Sequence, residues 1–224
     1  MDQRQLIQQN IKESKEKIKQ ELTKDNLIIF FTRILEDIKA DEQKNISGRI
    51  KDIYQILNPY AKYATFSTII KQFKRQNFST EGLGLTSQES HFLKIVADFL
   101  NSNGKLQNPK ILKGRIKGIL RKLTEKYFPN SIQIIEPYIL GKLVSFFAGT
   151  KSIAFKPAST IQIIGAEKAM FNHFNENRPT PKYGLLYRSK NVQQSKNKPK
   201  AARQLSNKLA ISLKQDYFTK IKNE

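Results

Sequence analysis

Residues Asn108–Leu123 read NPKILKGRIKGILRKL, and the spacing of Leu112, Ile116, Ile119 and Leu123 decides the fold class. Steps of four, three and four place these side chains on one stripe of an α-helix, the a/d seam of a coiled coil. Asn108-Pro109 supplies the start. Asn caps helices, and Pro suits the first helical position because its missing N–H would have no partner there. Gly114 and Gly118 share a face that lets another helix approach closely, although each lowers helix propensity by roughly 1 kcal/mol.

Upstream the same spacing recurs twice. Leu27, Phe31, Ile34 and Ile38 form one apolar stripe, and Ile46, Ile50, Ile53 and Leu57 form another. Together they predict a long helix over about Leu6–Leu57, solvated or stuttered at the all-polar KADEQKN (Lys39–Asn45) and ended by Asn58-Pro59. Between the two helical arms, an insertion over about residues 60–108 holds amphipathic pieces around Ile69–Phe73 and Phe92–Leu100. The turn-forming STEGLGLTS separates them. The arms predict an antiparallel coiled-coil hairpin. Leu27, Phe31, Ile34 and Ile38, with Leu112, Ile116, Ile119 and Leu123, are the residues expected to join two copies of the chain, because a long half-apolar helix needs a partner.

Phe128-Pro129-Asn130 marks a boundary, which predicts two parts, residues 1–126 and 127–224. The second part predicts a helix over about Ser131–Phe147, a short apolar helix from Thr160 to Ile164 and a break at Gly165. Ala166-Glu167-Lys168 is expected as a tight loop exposing backbone amides, and Ala169-Met170-Phe171 as the opening of the next helix. A last helix is expected over about Pro199–Phe218. Strand signals are nearly absent, so the class is all-α.

Lys+Arg number 40 against 19 Asp+Glu, a formal charge of +21 with pI near 10.0. Such an excess repels itself unless a polyanion neutralises it, and nucleic acid is the usual polyanion. Part of the excess reflects a bias toward Lys, Ile and Asn. Cysteine is absent, which removes disulfides, thiolate chemistry and Cys-based zinc sites and fits a reducing cytosol. MDQRQLIQQN at the start lacks the apolar run of a signal peptide, and Ile132–Phe147 is too short and interrupted to span a bilayer. A soluble cytoplasmic protein without a membrane partner is expected.

No catalytic set assembles. His91 and His173 each lack a carboxylate or second His at helical spacing, and Gly82-Leu83-Gly84 lacks the third glycine and preceding strand of a dinucleotide loop. No metal site and no cofactor are predicted. The basic stretch is more informative. From Arg178 to Gln215 there is no acidic residue, while Lys182, Arg188, Lys196, Lys198, Lys200 and Arg203 are among its cations. Crowding positive charge at a helix start opposes the helix dipole, and becomes favourable when a phosphate sits there. Tyr183, Leu185, Leu186 and Tyr187 interleave with the charges. Packing in a core and stacking on bases are both open to them.

Three blocks, PASTIQIIGAEKAMF (Pro157–Phe171), RPTPKYGLLY (Arg178–Tyr187) and KPKAARQLSNKLAISLKQDYF (Lys198–Phe218), resemble the Nop domain of RNA-methylation scaffold proteins. LGKLVSFFAG (Leu140–Gly149) is similar to the helix preceding the first block. KDNLIIFFTRILEDI (Lys24–Ile38) and ISGRIKDIYQILNPY (Ile46–Tyr60) look like the first coiled-coil arm. The resemblance covers nearly the whole chain. It implies a non-catalytic scaffold of an archaeal-type box C/D guide RNA particle; the alternatives are a spliceosomal-type relative that binds a small nuclear RNA kink-turn and a basic protein that binds RNA by charge alone. It further implies recognition of an RNA kink-turn together with a ribosomal-type kink-turn-binding protein, and self-association through the coiled coil. Carried onto this sequence, the RNA-facing residues are Gln162, Gly165, Ala166, Glu167, Lys168 and Phe171, with Lys182, Arg188, Lys196, Lys198, Lys200 and Arg203. Asn172 stands where archaeal members have Arg, and Pro199 where Gly is usual. The family's N-terminal α/β domain, which holds the methyltransferase fibrillarin, has no counterpart here. The resemblance therefore implies fibrillarin as an indirect partner, or one held through a separate α/β chain.

Overall fold

The computed structural model describes residues 3–40, 43–57, 65–75, 87–101, 106–176 and 178–223. Among them there is no strand beyond one isolated bridge between Leu100 and Leu106, and the chain is all-α. The turn expected at STEGLGLTS lies almost wholly outside the described residues, as do the Gly82–Gly84 pair and Asn58-Pro59. Two compact units form, Met1–Ile119 and Leu120–Glu224. The division falls between Ile119 and Leu120, inside a continuous helix.

In the first unit, the expected long helix is two. α1 runs Gln3–Lys39 and α2 runs Gln43–Leu57. The polar stretch between them has nothing apolar to bury, whereas reversing the chain lets the two stripes bury against each other. Arg49 on α2 reaches back to Asp37 on α1, its Nε donating to Oδ2 at 2.6 Å. That hydrogen bond, first among the causes, holds the guanidinium still more firmly in its charged form. α3 (Phe66–Arg75) and α4 (Ser87–Asp98) are the two pieces of the insertion. Tyr54 meets Phe73 edge-on at 6.1 Å, joining α2 to α3, and Phe31 meets Phe92 at 6.5 Å, joining α1 to α4.

α5 (Pro109–Tyr127) begins where expected, with Asn108 in the left-handed region at φ 49°, a conformation Asn tolerates better than most residues. Leu27, Phe31, Ile34, Leu112 and Ile116 are fully buried, Ile119 and Leu123 are 4% and 1% exposed, and Ile38 is half-buried. The seams expected to join two chains are therefore the interior of one chain. Seven of those eight side chains are sealed from any second copy.

The second unit is organised along α11 (Lys198–Asn223), which starts near the expected residue and runs beyond Phe218. Ala202, Leu205, Leu209 and Leu213 make its buried stripe. The helix expected over Ser131–Phe147 is broken into a 3-10 turn at Ser131–Gln133 and α6 at Pro137–Phe146, because Glu136 before Pro137 is held extended. α7 (Thr150–Ala154) and α8 (Ala158–Ile163) follow and pack on α11. Asp216, 1% exposed, ties the ends of the unit together. Its carboxylate accepts from the Asn130 and Ser131 N–H groups at 2.9 Å each, from Asn130 Nδ2 at 2.8 Å and from Ser131 Oγ at 2.6 Å.

Candidate nucleic-acid interface

The corner after α8 is built by two segments bolted together. α8 ends at Ile163, and Gly165 turns the chain at φ 84°, a conformation that strains any residue with a Cβ. The Gly184 N–H donates to the Gln162 carbonyl at 2.9 Å and the Leu185 N–H to the Ile164 carbonyl at 2.6 Å. Gln162 Nε2 closes the seam on the Lys182 carbonyl, also at 2.6 Å. A Cβ on Gly184 would stand 2.0 Å from the Ile164 carbonyl oxygen and 2.5 Å from that of Ile163, so only glycine lets the two backbones meet. Gln162, expected among the RNA-facing residues, is half-buried and gives one amide N–H to this seam.

The expected loop Ala166–Lys168 is shorter in the structure, since α9 (Glu167–Glu176) begins at Glu167 itself. Two of the corner's backbone amides are already paired within it. Glu167 Oε1 accepts from the Gly165 N–H at 2.8 Å, and the Ile163 carbonyl accepts from the Ala166 N–H at 3.0 Å. What the corner presents is therefore the exposed Lys168 side chain and, one turn on, Phe171 and Phe174, 66% and 73% exposed. None of α9 is buried. His173 bonds the Arg178 carbonyl and Thr180 Oγ1, holding the following loop to the helix.

Leu185 and Leu186 are core, in the 3-10 turn Leu185–Arg188. The tyrosines on either side stack on each other, with centroids 4.9 Å apart and planes 14° from parallel. Lys198 Nζ lies over the Tyr187 ring at 5.4 Å. This stack, which the spacing alone did not reveal, links the corner to the start of α11. There Asn197 Oδ1 accepts from the Lys200 N–H at 3.1 Å, and Pro199 has no N–H. The helix start offers side-chain charge more than backbone donors, a correction to the amide-rich phosphate site expected.

Electrostatically the unit is one-sided. Each of its described carboxylates serves the fold. Glu125 pairs with Arg121 at 2.7 Å, and Glu136 accepts from the Lys190 N–H at 2.8 Å, opening α10 (Lys190–Gln193). Glu167 and Asp216 hold backbone as described, and Glu176 pairs with Arg178 at 2.7 Å. Lys168, Lys182, Arg188, Lys196, Lys200 and Arg203 are exposed, Lys198 half-exposed, and none meets a carboxylate among the described residues. Such a surface attracts a polyanion and holds its phosphates by charge.

A family model described as Nop, snoRNA binding domain, fibrillarin, matches residues 4–224. The chain belongs to the Nop family. Similar proteins include nucleolar protein 58 of Neurospora crassa, 30% identical over 218 residues, spanning 86% of this chain and 36% of that protein. Nucleolar protein 58 of Saccharomyces cerevisiae is 46% identical over 90 residues, 39% of this chain and 18% of that one. The chain therefore spans little more than a third of the length of the first relative and less than a fifth of the second. A solved fibrillarin/Nop5p complex chain shares 21% identity at a TM-score of 0.47, over 96% of this chain and 70% of that one. The relatives' nucleolar names overturn the cytoplasmic expectation. Absence of cysteine fits any reducing compartment, the nucleus included.

Proposed function

We propose that this Nop protein is a non-catalytic scaffold of a nucleolar box C/D-type ribonucleoprotein. On this reading its second unit grips an RNA kink-turn together with a small kink-turn-binding protein. The observation that carries the reading is the exposed cations Lys168, Lys200 and Arg203, with Lys198 lying over the Tyr183–Tyr187 stack, left unopposed because the unit's described acids are spent internally. Cations at the α11 start hold phosphate, and the α9 corner meets the kink-turn-binding protein. Self-association belongs to the same reading. Since the seams are sealed, it would use the apolar side chains the first unit leaves outside, such as Leu6, Ile7 and Ile56. Fibrillarin would be a further partner in the same particle.

The test is an RNA titration by fluorescence anisotropy across salt concentrations, with and without the kink-turn-binding protein. Lys200→Ala with Arg203→Ala should flatten the salt dependence by about 0.7 to 0.9 log units per decade for each phosphate no longer neutralised. Lys168→Ala should weaken binding chiefly when the kink-turn-binding protein is present. Equal weakening by both variants, with and without that protein, would leave binding by charge alone and sink the composite-surface reading.

A further inference from the structure

From Phe99 to Thr124 the chain holds no acidic residue, a second acid-free basic run outside the interface described above. Its described part in the first unit is the N-terminal half of α5. Lys110, Arg115 and Lys117 are exposed there and Lys113 is half-exposed, with no carboxylate partner among the described residues. Their arrangement is defined by the helix. At about 100° per residue, Gly114 and Gly118 sit one turn apart at the centre of the face opposite the buried Leu112 and Ile116. Lys110 and Lys117 flank this glycine floor on one side, and Arg115 and the 55% exposed Ile111 flank it on the other.

The glycines have no reason to be there from within the chain. A Cβ on either would meet nothing within 4 Å, and both lie exposed in mid-helix, where alanine holds a helix better. A floor without side chains between cationic walls fits something that brings its own backbone close and carries negative charge along its length. A second helix could use the floor, but the long helices of this chain, α1, α2, α5 and α11, each carry net positive charge and would be repelled by the walls. We propose that this face of α5 is a second RNA surface, on which a phosphodiester strand lies in the glycine trough with its phosphates against Lys110, Arg115 and Lys117. It presupposes the RNA scaffold role proposed above, and adds to it a contact made by the first unit.

The experiment uses the full chain, the kink-turn-binding protein and a fluorescent kink-turn RNA with long duplex arms. Lys110, Lys113, Arg115 and Lys117 are all replaced by Gln, which keeps helix propensity. The slope of log affinity against log salt should fall by about 2, the share of two to three neutralised phosphates. Gly114→Ala with Gly118→Ala, at unchanged charge, should raise Tm yet weaken RNA binding several-fold, a pairing that a merely structural role cannot produce. Wild-type slope in the Gln variant, alongside a flattened slope in Lys200→Ala/Arg203→Ala, would overturn this surface and leave the scaffold role standing. If neither variant shifts the slope, both fall. Wild-type RNA affinity in the glycine variant, with a changed mass by light scattering, would show that the trough seats a second copy and would also overturn the proposal.

Discussion

Replacing Gly184 with Ala adds one methyl group where the structure has no room for it. The new Cβ would lie 2.0 Å from the Ile164 carbonyl oxygen and 2.5 Å from that of Ile163, both backbone atoms that cannot rotate aside. Ordinary van der Waals approach begins at 3.4 Å, so the Arg178–Tyr187 segment must back away from α8 by more than an ångström. That displacement breaks the Gly184–Gln162 and Leu185–Ile164 backbone hydrogen bonds and loosens the buried Leu185. At about 1 kcal/mol net for each bond, the cost is about 2 kcal/mol before any reduced burial is counted. For a unit of this size that lowers Tm by on the order of 10 °C. Circular dichroism melting of the full chain reads the first effect, and anisotropy with the kink-turn RNA and its binding protein reads the second, a weakened composite interface. Gly48→Ala is the matched control. It makes the same chemical change in α2 with nothing within 4 Å, and should stabilise by up to about 1 kcal/mol. A Gly184→Ala protein with unchanged Tm and unchanged RNA affinity would refute the view that the two backbones must touch for the corner to form.

Asp216→Ala strands the Asn130 and Ser131 N–H groups and should cost the second unit about 3 kcal/mol, measurable by urea denaturation. Asp216→Asn, which keeps one acceptor oxygen, should recover part of that stability. Ala148 ends α6 in the left-handed region at φ 54°, while Gly149 donates its N–H back to the Val144 carbonyl at 3.1 Å in a Schellman-type cap. Ala148→Gly should therefore stabilise by about 1 kcal/mol and raise Tm by roughly 5 °C. The purified chain should transfer no methyl group from S-adenosylmethionine to RNA in a radiolabel assay, and turnover would show a site that neither motif nor fold has revealed.

Much of this fold is legible because its signals are local. Asn108-Pro109 starts α5, Gly165 ends the turn after α8, and the stripes through Leu27 and Leu112 are buried as their spacing requires. What escaped involves choices between local structures of similar cost. A polar stretch such as Lys39–Asn45 suits a solvated helix as well as a reversal, and only the burial of Ile46, Ile50 and Ile53 decides for the reversal. The same reversal and packing put the seams inside one chain instead of between two. Asp216 and Ser131 are 85 positions apart, and no periodicity reports on such a pair. At the candidate site, cations could be counted from the letters, but whether a backbone amide is free could not. Gly165, Ala166 and Lys200 each give theirs to a partner two or three residues away, in turns and caps whose geometry the letters leave open.

The exposure of α9 bears on how this protein can vary. A helix with no buried residue adds nothing to the core, so its letters other than Glu167 and His173, which hold neighbouring segments, are not policed by folding. Substitutions at Phe171, Asn172 or Phe174 should pass unnoticed through expression levels, solubility screens and melting curves, all of which read the core. Selection on those positions can act only through what the helix touches in an assembled particle. Lineages that changed their RNA or protein companions could therefore rewrite this helix one residue at a time without first accumulating spare stability. The archaeal Arg and the Asn172 found here would be two points along such a drift.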